Sequence, residues 1–270
     1  MGRLPYAVRQ MKKLVLHGRV LPERVPLSIG TTIKWHSDIP DFGLKLEVEF
    51  SIADSQVIAT IGVKQGKADI DTLRNVIDLQ IRSVVDLIGY LHGVRYELDI
   101  VSAASTDGDG GWRIFGINIP VLSERRRTAS AEEYPSLGNL PVEWLTAVSG
   151  DIPAQMALAD FRRAMTSAIS TGFYCYRAIE SIMQSVRTDD KEKESVAWDR
   201  MRQHLRIDRA AIDMIKKHAD FPRHGRPSSI SDSDRAAVFK VADEIVRRYL
   251  HYLVRGKSQL PNAQFPRFTI

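Results

Sequence analysis

A chain of 270 residues and 30.4 kDa, 44% hydrophobic and 26% charged, has room for one large or two modest domains. That composition excludes a mainly disordered chain, a collagen-like polymer and, with a single cysteine, a disulfide scaffold. The formal net charge of +5 is a mild excess whose meaning depends on where it sits.

From the N-terminus, Met1 to Tyr6 lack a following apolar core of signal-peptide length, and Tyr6 stands where a myristoylation signal has Ser or Thr. Apolar runs such as Ile114 to Leu122 are about half the length of a membrane helix. A cytoplasmic protein with no membrane segment is expected, with Cys175 a packing residue in a reducing compartment. Lys13 to Val20 alternates weakly and reads as a first strand, after which Pro22 and Pro26 break regular structure. Leu44, Leu46, Val48 and Phe50 alternate with Lys45, Glu47 and Glu49, the period of a half-buried antiparallel strand. Gln56 to Val63 is its hairpin partner across the Ala53-Asp54-Ser55 turn.

At Asp69 the period changes. Ile70, Leu73, Ile77, Ile81, Val84, Ile88 and Leu91 form one helical stripe, with Asp69 as its cap, an Asp78–Arg82 pair and Gly93 as its stop. Arg95 to Ala103 and Trp112 to Val121 read as two further strands, joined by a loop through Asp107, Asp109 and Gly111. That loop lacks the third acidic ligand and the closing glutamate of a calcium loop. Residues 123–150, with exposed Arg125, Arg126 and Arg127, read as a linker. From Pro153 the pattern is helical: Ala154 to Val186, weakest at Gly172, then Ser195 to Leu205, Arg209 to His218, and a last helix from Ser231 to about Arg255. Phe221 to Pro227, with two prolines and a glycine, is expected to be non-helical. The expected fold class is α+β. An antiparallel sheet with one long helix (1–122) precedes the linker, a four- to five-helix bundle (151–258) and a tail (259–270).

The charge divides unevenly. Residues 1–150 carry 17 Lys+Arg and 18 Asp+Glu, whereas residues 151–270 carry 21 and 15, and 15 of those 21 are arginine. The excess of +6 in the helical half points to an anionic partner or to a solvated helical surface. Within it, Arg223, His224 and Arg226 occupy a loop feeding a helix N-terminus, where an imidazole exchanges protons and guanidinium groups hold phosphate oxygens. Glu180 shares a helix face with Phe173, Tyr176 and Arg177, and is expected to pair with Arg177 or with the Arg223–His224 loop. His218 is a further candidate base. No HExxH, CxxC, Walker or Rossmann pattern calls for a metal or a cofactor.

An Arg177-Ala178-Ile179-Glu180 helix, then shorter helices, then Arg223-His224-Gly225 before a long closing helix resembles the HEPN superfamily of all-helical domains, over residues 154 to 255. The resemblance implies RNA or nucleotide binding and dimerisation through the helical domain. For the family's ribonucleases it implies metal-independent cleavage in defence or toxin systems, with His224 as acid/base, Arg223 as phosphate stabiliser and His218 as the alternative base. Arg177, Glu180 and Arg226 would then be binding residues. The sequence departs from the pattern of an arginine four to six residues before a histidine, because Arg223 and His224 are adjacent. The alternative function is a non-enzymatic interaction or dimerisation module with a structural Glu180–Arg223/His224 network.

Overall fold

The computed structural model describes residues 13–106, 111–116, 119–130, 133–134, 141–189, 191–224 and 230–270, with the backbone alone at 221 and 222. They divide into two units, Met1–Ile117 and Asn118–Ile270. The α+β class follows: an antiparallel sheet with its helix, then a set of helices.

In the first unit β1 (Lys13–Leu21), β2 (Ile33–Ile39), β3 (Leu44–Ala53), β4 (Gln56–Gln65), β5 (Glu97–Ser105) and β6 (Trp112–Ile114) form one sheet of order β2-β3-β4-β1-β5-β6. The weakly alternating first segment is therefore a central strand, with Leu14 and Leu16 paired against Ile61 and Ala59 of β4 and against Ser105 and Ala103 of β5. Its core face is aliphatic and covered by α1 (Ile70–His92), whose Leu73, Ile77, Ile81 and Val85 are fully buried. Asp69 caps α1 by accepting from the Thr72 amide, Gly93 ends it in the left-handed conformation, and Arg82 donates to Asp78. The β3–β4 turn places Asp54 and Ser55 at φ 48° and 63°, two successive left-handed residues whose twist suits a tight hairpin.

Strand β2 has no counterpart in the sequence reading. Its inward residues Ile33, Trp35, Ser37 and Ile39 alternate, but Ser37 interrupts the apolar face. The helix meets that polar patch with a side chain of its own: Trp35 donates to Gln80, and Gln80 donates to Ser37. The strand expected over Trp112 to Val121 stops at Ile114, because Gly116 turns left-handed and Pro120 starts a helix.

The second unit holds α2 (Pro120–Thr128), α3 (Val142–Ser149), α4 (Ile152–Thr166), α5 (Thr171–Ser185), α6 (Glu194–Leu205), α7 (Arg209–Arg223) and α8 (Asp232–Val254). The stretch read as a linker thus contributes α2 and α3 to this unit. Its arginines are not idle surface charge, since Arg125 and Arg126 pair with carboxylates of α8. The expected tail is also packed, with Leu260 and Phe265 buried, Phe268 bridging Ile207, and Arg248 donating to the Pro266 carbonyl.

Helix α7 continues through Phe221 and Pro222 to Arg223, where a non-helical segment was expected. In the last turn a proline removes one amide bond and need not end the helix at once. The carbonyl that this leaves without its partner four residues on, that of His218, lies against α5. A Cβ built on Gly172 would come within 2.4 Å of it, so Gly172 lets α5 and α7 approach. Glycine at this position is a packing requirement, and the break in the long helical pattern falls earlier, at residues 167–170.

Candidate functional site

The sequence candidates lie at the C-terminal end of α7 and on α5. Arg223 closes α7, His224 follows it, both are exposed, and Arg223 Nη1 lies 3.4 Å from Glu180 Oε1. The expected meeting of Glu180 with the Arg–His segment therefore runs through Arg223. Burial pushes the Glu180 carboxyl above its ordinary range, Arg223 opposes this, and Glu194 adds to it. Arg177 does not serve Glu180. Its guanidinium takes Asp160 of α4 in a two-pronged bond at 2.7 and 3.0 Å, and it lies over the rings of Phe173 and Tyr174. Asp160 is buried and also accepts from Arg163, so a buried interhelical carboxylate wins over a half-buried one on the same helix. His218 is half-buried on α7. Arg226, Gly225 and most of the acidic loop at 107–111 lie outside the described residues. Cys175 is fully buried, and burial pushes its thiol far above the ordinary range, which removes it as a nucleophile. Among the described residues no three of His, Cys, Asp and Glu converge as a metal site.

A different part of the helical unit is concave. Leu158, Phe161, Arg162 and Met165 share one stripe of α4, and Asp243, Val246, Arg247 and Leu250 share the matching stripe of α8, each at spacings of three and four. Between the stripes lies a cavity of about 270 Å³, with Trp144 of α3 and Arg126 and Tyr134 of the preceding segment completing its walls. The lining is mostly apolar and aromatic, with three arginines and one carboxylate among it.

The polar side of the cavity is an ordered network. Asp243, 3% exposed, accepts from Arg126 at 2.7 Å and from the Tyr134 hydroxyl, and sits 3.3 Å from Arg125. Next to it Glu244, equally buried, is held by Arg125, Arg247 and Arg248. Burial opposes ionisation of Glu244, but the hydrogen bonds from Arg247 and Arg248 overcome it and hold the carboxyl below the usual range. Burial pushes the Tyr134 hydroxyl up, and Asp243 adds to the shift, so Tyr134 stays a donor at any physiological pH. Arg126 lies 4.7 Å from the Tyr134 ring centroid, which braces both side chains. Arg162 differs from these. It is exposed and has no hydrogen-bond or ion-pair partner among the described residues.

Among the described residues, arginines 125, 126, 247 and 248 pair with Glu133, Asp243 and Glu244 and Arg162 joins them at the cavity, an excess of two positive charges. Such a site offers an apolar slot for a flat body and guanidinium donors for an anion. It offers no adjacent base and nucleophile. None of the five sequence candidates among the described residues lines it. The signals that would have found it are distant in sequence: the Arg125-Arg126-Arg127 run, set aside as a linker, and the acidic pair Asp243-Glu244, placed mid-helix on a face that is otherwise apolar.

Comparison with known families gives two matches. Residues 14–114 match the N-terminal domain, and residues 143–254 the C-terminal domain, of a family described as a domain of unknown function, DUF8168. No curated protein and no solved structure matches the chain.

Proposed function

For this chain, a member of the DUF8168 family, we propose that the helical unit is a binding domain for a small ligand of the nucleotide class, taken into the α4–α8 cavity. The observation that carries the reading is the pairing of an apolar, aromatic slot with an arginine rim that holds two charges more than its own carboxylates neutralise. A planar base suits the side lined by Trp144, Phe161 and Leu158, and an anionic group suits the side of Arg126 and Arg162. At about 270 Å³ the cavity fits one nucleoside-sized body and is too small for a dinucleotide cofactor.

Of what the HEPN resemblance implies, this reading keeps nucleotide binding and leaves out cleavage. Arg223 is engaged by Glu180, which is half-buried, and among the described residues no side chain bonds His224 to set its proton. The test is calorimetric titration of the full chain with adenosine 5′-monophosphate, beside Leu158→Trp, which fills the slot. Saturable binding by the native chain and its loss in Leu158→Trp, with melting unchanged, is the expected result. Equal binding by both chains, or loss of binding in Arg223→Ala, would move the site elsewhere.

A further inference from the structure

The reading above leaves the anionic group of the ligand open, and the cluster's charge and hydrogen-bond inventory narrow it. Every carboxylate of the cluster is already engaged: Asp243 by Arg126 and Tyr134, Glu244 by Arg247 and Arg248, and Glu133 by Arg247. Buried arginines that carry such partners are structural. Arg162 is the cavity-lining cation without a partner among the described residues, and Arg126 is the paired one that remains well exposed. Arg126 spends Nη1 on the Leu122 carbonyl and Nη2 on Asp243, and its Nε has no hydrogen-bond partner among the described residues. The two guanidinium groups open to a ligand therefore come from different helical elements, α2 and α4, and line one cavity.

The geometry points to a phosphate monoester as the group they receive. A monoester carries about −1.5 to −2 charges at neutral pH and presents three acceptor oxygens, which matches two uncompensated positive charges and two planar donor groups. A carboxylate or a phosphate diester carries a single charge and would leave one guanidinium unneutralised in a site partly removed from water. The ligand class is thus a mononucleotide with a terminal phosphate, its base in the apolar slot and its phosphate between Arg162 and Arg126. Specificity for the terminal phosphate resides in Arg162, because Arg126 is already half-neutralised by Asp243. This inference rests on the binding reading, and the experiment separates the failure of one from the failure of the other.

Titration of the full chain with adenosine 5′-monophosphate, adenosine and adenosine 3′,5′-cyclic monophosphate tests it, since all three share the base and differ in the anion. The monoester is expected to bind at least about tenfold more tightly than the other two, the worth of one charge-assisted contact. Arg162→Ala is expected to remove that preference while keeping the weaker binding of adenosine, and Arg162→Lys to restore part of it. The side chain is exposed and has no partner among the described residues, so these variants keep the fold. Equal affinity for the monoester and the cyclic diester, or an unchanged preference in Arg162→Ala, would overturn the inference and leave the cavity reading standing. Absence of binding by all three would overturn both. A 5′-phosphorylated trinucleotide serves as competitor: displacement of the mononucleotide at lower concentration would assign the phosphate to an RNA end and overturn the mononucleotide.

Discussion

The two units of this chain bury charge to different extents. The sheet unit buries one carboxylate, Asp78 of α1 under Arg74 and Arg82, and its strand-to-strand pairs Lys34–Glu49, Lys64–Glu47 and Arg19–Asp99 lie on the solvent side of the sheet, away from α1. The helical unit buries more carboxylates: Asp160 under Arg163 and Arg177, Asp243 and Glu244 under the arginines of α2 and α8, and Asp151 under Tyr249 and Lys257. Exposed pairs contribute little to stability and do not shape a cavity. A buried pair is costly unless fully satisfied, so it fixes side chains rigidly and makes a preorganised wall. The difference places the candidate site in the helical unit for a physical reason beyond its net charge.

The largest effect that would sharpen the contrast is at Glu244. Glu244→Gln leaves Arg125, Arg247 and Arg248 facing one another without their shared charge, at a cost of about 3–5 kcal/mol. The matching change in the sheet, Glu49→Gln, is expected to cost under about 1 kcal/mol. Denaturant melts of the two variants check this, and similar losses would break the contrast. Glycines give the next test. Gly172→Ala forces a methyl against the His218 carbonyl and is expected to destabilise the helical unit by about 1–3 kcal/mol. At Gly62 of β4 the nearest atom is 3.8 Å from an added Cβ, and Gly62→Ala is expected to fall within about 0.5 kcal/mol of the native chain.

Acid gives a third comparison. The carboxyls of Glu244 and Asp151 are both opposed by burial, yet their hydrogen-bond donors hold them below the ordinary range, so they titrate lower in the folded state than in the unfolded chain. Their contribution is therefore complete at neutral pH and fades as the pH falls through the ordinary carboxylate range towards their folded values. In the sheet the Glu47 carboxyl is also lowered, by the hydrogen bond and charge of Lys64, but at an exposed site. Added salt is expected to remove the sheet's acid dependence and leave that of the helical unit, measured as melting temperature against pH at two ionic strengths. A small effect is expected at Arg223. Its pair with Glu180 is open to solvent, and Arg223→Ala is expected to shift stability by less than about 1 kcal/mol. A larger loss would restore the structural network that the sequence suggested there.

The same contrast explains what the sequence disclosed. Strand β3 and helix α1 were legible because each has a single dominant period, two for Leu44 to Phe50 and three-to-four for Ile70 to Leu91. The cap Asp69 was legible because its partner lies three residues away. Strand β2 was hidden because Ser37 breaks its apolar face and is matched only by Gln80, 43 residues on. The linker reading failed at Arg125 and Arg126 because their partners lie on α8, more than a hundred residues downstream. The Arg–His segment drew attention as a compact motif, whereas the cavity is assembled from helical stripes that no local window contains. Arg177 went to Asp160 for the same reason, since interhelical contact outcompetes sequence proximity.

Hydrogen–deuterium exchange of the full chain, with and without adenosine 5′-monophosphate, addresses the cavity most directly. Nucleotide is expected to slow exchange in α4 around Leu158–Met165, in α8 around Asp243–Leu250 and near Arg126, and to leave residues 13–116 unchanged. Protection confined to the sheet unit or to the end of α7 at Arg223, or no protection at saturating nucleotide, would contradict the assignment of the site to the helical unit's buried-charge wall.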